Sequence, residues 1–500
     1  MKKNVLLISM VVCLAGLVGV AVQSTANIDK LDATLNLVLP ECAYHHGYHY
    51  QEKEATIDQA GHKEFWTCCN CQHQYLTRPD GEFVDQDDAY MIGEINEEHI
   101  AYIAPLTEGG KNGDYWTIDP FDDEFSPQPT TRIIVMAGQS NAAGVGHFDC
   151  LENSVDTSKI SEIESGYDNV LITGFSHGFI DEGPVYANAT TSTMGAAGTF
   201  GFEIGLADRL SKVFPDETTY IVKYAFGATS LNYDWISPSS NVPISCTYDA
   251  NYERGWLYNG LVTCLTNLID KINTTTNTLP SIEAFMWMQG ESDACFNEST
   301  ATYLSTFNNL VNDFKNTFRN NLSSKFAVYD ASISPTGGWM NAEEINEIKR
   351  SRADEHNIYI DTTSSLTTTY EPIGETADFA HYDAACYIDL GHIFADTYLA
   401  NTIRGYSPNT LEIEAPASIS MKRNQNYNMS APTVLFNGAS VNAKITYYAE
   451  QSKSGNNIIS YFTVNGSTFT PTRTGSTNLR ITAYYNDEVK TVVVPVTITY

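Results

Sequence analysis

Four short segments of this 500-residue chain hold residue types whose order could support acyl transfer. Ser140 stands in Gly138-Gln139-Ser140-Asn141, directly after the apolar run Ile133-Ile134-Val135-Met136. A serine in a glycine-flanked turn at the end of a buried strand is placed as a nucleophile is placed. A helix start beside it would supply backbone N–H groups for an oxyanion. Taken alone, the same turn also fits a helix N-cap. Three further segments add to it. Tyr220 to Ala225 ends in Phe226-Gly227-Ala228-Thr229-Ser230, Ile282 to Met288 ends in Gln289-Gly290-Glu291-Ser292-Asp293, and Asp378-Phe379-Ala380-His381-Tyr382 comes late in the chain. An Asp three residues before a His can hold the imidazole on one turn, fixing its tautomer and stabilising the imidazolium.

Positioning these residues requires a sheet whose strands end along one edge. Residues 131–405 have that rhythm. Short apolar runs at 133–136, 220–225, 282–288, 326–329 and 358–360 read as strands. Segments of helical spacing at 202–214, 257–272, 302–318 and 387–403 lie between and after them. Such alternation predicts an α/β fold with a mostly parallel sheet covered on both faces, and ligands at the carboxyl ends of its strands. The stretches 147–195 and 230–256 read as pocket walls, with Tyr233, Trp235 and Trp256 available to stack on a sugar ring.

The motifs "MAGQSNAAG" (136–144), "KYAFGATSL" (223–231), "WMQGESD" (287–293) and "DFAHYD" (378–383), with "GFEIGLADRL" (201–210), resemble those of the SGNH (GDSL-like) hydrolases. The likeness is greatest to the branch containing sialate O-acetylesterases and acetylxylan esterases. The resemblance implies a flavodoxin-like three-layer α/β/α domain over about 131–405. It implies Ser140 as nucleophile, His381 as general base and then acid, and Asp378 as the residue that orients His381. The Ser140 and Gly227 backbone N–H groups and the Gln289 amide would form the oxyanion hole. Glu291 stands as an alternative or additional carboxylate partner of His381. The implied reaction is hydrolysis of acetyl esters on a carbohydrate, with no cofactor for catalysis. The contrasting reading is a non-catalytic surface carbohydrate-binding or adhesion protein with a degenerate hydrolase domain; the intact Ser140, Asp378 and His381 argue against it.

The flanking regions have other compositions. Residues 1–26 read as a secretory signal: Lys2 and Lys3, an apolar run from Val5 to Val22, then Ser24-Thr25-Ala26 as a cleavage site. The run is also long enough to read as a retained anchor, and no other stretch would cross a bilayer. Export is the expected outcome, to the cell surface or the medium. In residues 27–74, Cys42-x-x-His45 and Cys68-x-x-Cys71 are two ligand pairs of the kind tetrahedral zinc needs. Residues 53–75 resemble zinc-ribbon-like modules of Firmicutes surface proteins, although many of those carry Cys where Ile57 stands. Disulfides are the other reading of these cysteines in an oxidising compartment, and Cys246 could pair with Cys264 or Cys295. Residues 75–130 hold 14 Asp/Glu against 2 Lys/Arg and read as an acidic linker. Residues 406–500 present short β-type runs separated by turns such as Asn437-Gly438, Asn465-Gly466 and Asn486-Asp487, the pattern of a small β-sandwich of immunoglobulin-like type; a spacer is its expected role.

The net charge of −32 excludes a nucleic acid partner, which needs a basic footprint. It does not select the sugar. If the sugar is an acidic one such as sialate, a local cation such as Arg132, Lys223 or Arg254 is expected near the pocket.

Overall fold

The computed structural model describes residues 130–176, 179–180, 185–187, 198–242, 252–276, 278–335, 338–362, 380–454 and 457–500, with short strands at 46–50, 65–68, 74–75 and 114–117. The chain divides into two compact units, Met1–Pro127 and Gln128–Tyr500. In the first unit, His46–Tyr50 pairs antiparallel with Phe65–Cys68 and with Asp114–Thr117, and Gln74–Tyr75 closes the other edge. One strand of this sheet therefore comes from within the acidic stretch expected as a linker. Cys42, His45 and Cys71 lie outside the described residues, as do residues 1–26 and Cys246; Cys68 ends its strand.

The second unit is built on six parallel strands: β1 (Thr130–Gly138), β2 (Tyr167–Ser176), β3 (Thr219–Ala225), β4 (Leu279–Met288), β5 (Leu322–Ala331) and β6 (Asn357–Ile360). Their spatial order is β6-β5-β4-β1-β3-β2, and Phe179–Ile180 and Val185–Ala187 add antiparallel segments beside β2. Without β2 the order is that of a flavodoxin-like sheet. β1 is central, and its residues 131–138 are buried on both faces, as a central parallel strand must be.

Side-chain alternation on β1 sorts the core into two layers. Ile134 and Met136 pack with α2 (Glu203–Val213) and α7 (Ala384–Thr402), whereas Ile133, Val135 and Ala137 pack with α3 (Trp256–Thr275), α5 (Asn297–Thr317) and α6 (Ala342–Ser351). The short helices α1 (Ser140–Ala143) and α4 (Glu291–Ala294) start where β1 and β4 stop. The stretch 147–195, expected as a pocket wall, also supplies a sheet strand. β2 reads Tyr-Asp-Asn-Val-Leu-Ile-Thr-Gly-Phe-Ser, whose central apolar run is flanked by polar residues and is short enough to read as loop.

Residues 406–500 form a β-rich region with its own core, among them Ile419, Met421, Phe462, Phe469, Leu479, Ile481 and Val496. Its longest hairpin joins β7 (Gly475–Tyr485) to β8 (Glu488–Thr499) through Asn486 and Asp487, both with positive φ, as a tight primed turn requires. No helix among the described residues is long and apolar enough to cross a membrane.

Candidate active site

Register brings the motifs together. Gly138 of β1 is level with Ala225 of β3 and with Met288 of β4, so the three strands end side by side. Ser140, Gly227 and Gly290 each follow two residues later, on one edge of the sheet. The packing there is close. A Cβ on Gly138 would lie 1.9 Å from the Met288 carbonyl oxygen, and Gly138 has φ +149°, so only glycine allows the turn that aims Ser140.

Ser140 is half-buried and begins α1, where its backbone N–H has no intrahelical acceptor. Gly227 is also half-buried and is followed by Ala228 in a left-handed conformation, φ +58°. The two polar neighbours of Ser140 reach across to the other strand ends. Gln139 Oε1 accepts from Gln289 Nε2 at 3.2 Å, Ser292 N at 3.2 Å and Gly290 N at 3.4 Å. Asn141 Nδ2 donates to Glu291 Oε1 at 2.7 Å and to the Ala380 carbonyl at 3.3 Å, while Tyr387 Oη donates to Asn141 Oδ1 at 2.9 Å. Asn141 thus ties the serine turn to Glu291 and to the residue before His381.

Glu291 is fully buried. Burial pushes its carboxyl above the ordinary value, against the Asn141 hydrogen bond and the positive fields of Lys349 and His381. Its second oxygen, Oε2, has no hydrogen-bond partner among the described residues. His381 sits half-buried between Ala380, whose carbonyl Asn141 holds, and Tyr382, which is buried with its hydroxyl 3.2 Å from Thr362 Oγ1. Asp378, expected to orient His381, lies outside the described residues.

Gln289 behaves differently from Ser140 and Gly227. Its amide is fully buried and its Nε2 donates toward Asp293 Oδ2 at 2.5 Å, the Thr229 carbonyl at 3.1 Å and Gln139 Oε1 at 3.2 Å. In this arrangement the amide braces the strand ends, and it reaches an oxyanion only by exchanging one of these acceptors. Asp293 closes the brace by accepting from Leu231 N at 2.9 Å and from Ser299 Oγ; burial raises its carboxyl above the ordinary value.

The aromatic residues divide. Trp235 is fully buried, packed edge-on against Trp287 at 5.1 Å, and so belongs to the core and not to a sugar-facing wall. Trp256 stacks on exposed Tyr252 at 4.2 Å and meets Phe226, the neighbour of Gly227, at 5.6 Å. Tyr233 donates to the Tyr252 carbonyl at 3.0 Å. The cations considered for an acidic sugar are engaged by other groups of the protein. Arg132 is buried near the start of β1 among Glu283, Glu217, Thr219 and Tyr398, roughly 20 Å from Gly138 by strand rise. Lys223 is buried and paired with Glu203 at 2.9 Å. Arg254 Nη2 donates to the Val242 carbonyl at 2.6 Å. Among the described residues no cluster of three or more metal-ligating side chains is present.

Reading residues one motif at a time missed Gln139, Asn141 and Asp293 as supports. The signal was present, since all three are polar residues inside the strand-end motifs, but the partners that tie them to other segments lie about 60 to 240 positions away.

No curated protein matches the chain significantly. Among solved structures, a protein of Arabidopsis thaliana aligns over 55% of this chain and 100% of its own at 17% identity and a TM-score of 0.38. The crystal structure of NanS aligns over 55% of this chain and 98% of its own at 15% identity and a TM-score of 0.40. Domains 4 and 5 of the S-layer protein SbsC align over 18% and 51% at 18% identity and a TM-score of 0.12. The family model described as carbohydrate esterase, sialic acid-specific acetylesterase matches residues 130–400, the stretch that runs from the first sheet strand almost to the end of α7. More than half of the chain lies within that match, and the chain belongs to the sialic acid-specific acetylesterase family of carbohydrate esterases.

Proposed function

We propose that the protein is an exported O-acetylesterase that removes acetyl groups from a sugar through an acyl-serine. The observation that carries this reading is the Asn141 bridge, which joins the Ser140 turn, Glu291 and the His381 loop into one constellation at the carboxyl edge of the sheet. In the reaction, His381 takes the Ser140 proton as Ser140 Oγ bonds to the acetyl carbon. The Ser140 and Gly227 N–H groups receive the developing oxyanion, with Gln289 contributing if it exchanges an acceptor. As the carbon–oxygen bond to the sugar breaks, His381 returns the proton to the sugar oxygen. Water, deprotonated by His381, then attacks the acyl-serine, and acetate leaves with Ser140 reprotonated. Asp378 and Glu291 are the candidate carboxylates that stabilise the imidazolium. Tyr252 and Trp256 offer a flat aromatic surface for the sugar. The N-terminal Cys42, His45, Cys68 and Cys71 are proposed to hold a structural zinc, which metal analysis of the purified chain checks. The C-terminal region is proposed to be an immunoglobulin-like sandwich.

The test compares wild type, Ser140→Ala, Asp378→Asn and Glu291→Gln on p-nitrophenyl acetate and on O-acetylated sialic acid. Loss of at least about a thousandfold in kcat is expected for Ser140→Ala. The larger loss between the two carboxylate variants identifies the partner of His381. An inactive wild type, or a fully active Ser140→Ala, would overturn the reading.

A further inference from the structure

Arg480 lies on β7 in the C-terminal region, yet it reaches the turn that carries His381. It is 3% exposed, and its Nη1 donates to Asp383 Oδ2 at 3.0 Å while its Nε pairs with Glu450 Oε1 at 2.9 Å. Asp383 is the N-cap of α7, with Oδ1 accepting from Cys386 N at 2.7 Å. One carboxylate therefore joins the helix start to the β-rich region, two residues after His381. On the other side of His381, Asn141 holds the Ala380 carbonyl. His381 sits between two tethers, one from the esterase sheet and one from the C-terminal region.

The joint at this point is hollow. A cavity of about 670 Å³ is lined by Asp383 and Arg480 together with Asn153, Tyr447, Tyr448 and Thr482. Close packing does not set the separation of the two walls there, so directional bonds must. Farther along, the same β-rich region grips α7 again, through Lys490 to Asp389 at 2.9 Å and Glu488 to His392 at 3.4 Å.

We propose that Arg480 is a positioning residue of the esterase, and that the C-terminal β-rich region, through it, sets the place of His381 opposite Ser140. This rests on the reading of His381 as the base. It gives the C-terminal region a part in turnover, beyond the spacer role its composition suggests. A charge-assisted bond between the buried Arg480 and the partly buried Asp383 carboxylate is strong and directional, and a shift of about 1 Å in a catalytic group costs on the order of 10²-fold in rate.

The experiment uses the full chain and acetyl ester hydrolysis. Arg480→Gln is expected to lower kcat about 10- to 100-fold with KM within about twofold, and Arg480→Lys to recover most of the loss. Lys490→Gln, which cuts a neighbouring contact of the same interface without touching Asp383, is expected to leave kcat within about twofold. Asp383→Asn keeps a cap acceptor and is expected to reproduce the Arg480→Gln loss, with the double variant no worse than either single. It carries the test if Arg480→Gln does not fold. Unchanged kcat in Arg480→Gln and Asp383→Asn, or an equal loss in Lys490→Gln, overturns the inference. Ser140→Ala and His381→Ala run alongside: if they stay active the esterase site itself is misread, and if they are dead while Arg480→Gln matches wild type, only the positioning role falls.

Discussion

Asn141 makes the contacts that decide whether the site is one constellation or several. Its amide donates to Glu291 and to the Ala380 carbonyl and accepts from Tyr387. In Asn141→Ala, Glu291 Oε1 loses a buried donor, which costs about 1–3 kcal/mol of stability. The loop carrying His381 also loses its tie to the serine turn, and kcat is expected to fall about 10- to 100-fold. Urea titration and steady-state kinetics on the same preparation separate the two effects; reduced stability with an unaltered kcat would show that Asn141 only supports the fold. At this scale Ser140, His381 and the glycine turns were legible as candidates, because strand-end polar residues are visible as motifs. The cross-links were not, because hydrogen-bond partners distant in sequence leave no local spacing to read.

The elements that present the site depend on how closely α2 and α7 approach. A Cβ on Gly391 would lie 2.2 Å from the Phe202 carbonyl oxygen, and one on Gly205 would lie 2.2 Å from the Ile388 carbonyl oxygen. Two glycines facing each other let the backbones meet. Gly391→Ala is expected to force α7 outward and to cost about 1–3 kcal/mol in a denaturant titration. Since α7 begins just after His381, kcat is expected to fall with stability. An alanine accepted at no cost in either measure would show that the contact is not tight in solution. Helix and strand periodicity had placed α2, β3, α3, β4, α5 and α7 to within a few residues. It missed β2 and α6. β2 has a short apolar run between polar ends, and α6, Ala-Glu-Glu-Ile-Asn-Glu-Ile-Lys-Arg-Ser, has few apolar residues to mark its buried side. Trp235 was misjudged for a related reason: a tryptophan in a loop has the same composition whether it faces sugar or core.

Over the whole of the second unit, the C-terminal region and the esterase layers share a buried charge network. His392 lies 2.9 Å from Asp208 and 3.4 Å from Glu488, and Arg209 Nη2 donates to both Glu488 oxygens at 2.8 and 2.9 Å. Burial works against the charge on His392, but the bonds to Asp208 and Glu488 outweigh it and raise its pKa above the ordinary 6.5. A raised histidine contributes stability that is fully present below its unfolded value and is lost as pH rises through the folded one. Asp208 and Glu488 are lowered despite burial, by His392 and the nearby Lys and Arg charges, so their contribution is present above the ordinary carboxylate range and is lost in acid. The melting temperature is therefore expected to peak at mildly acidic pH and to decline on the alkaline side above pH 6.5. In His392→Gln that alkaline decline should be absent, as melts from about pH 5 to 9 would show; a decline of equal size in the variant would assign it to other groups.

The sequence by itself pointed to the carbohydrate esterase family and to the sheet edge where its motifs gather. The motifs around Ser140, Gly227, Gly290 and His381 are local patterns, and an alternating α/β chain delivers its strand ends to one side. Only the tertiary structure decided what holds those residues in place. It added Asn141 and Gln139 as cross-links, moved Trp235 into the core, committed the Gln289 amide to buried acceptors, and brought Arg480 within bonding distance of the cap beside His381. Each of these is a contact between residues far apart in the chain, fixed by strand register and helix packing.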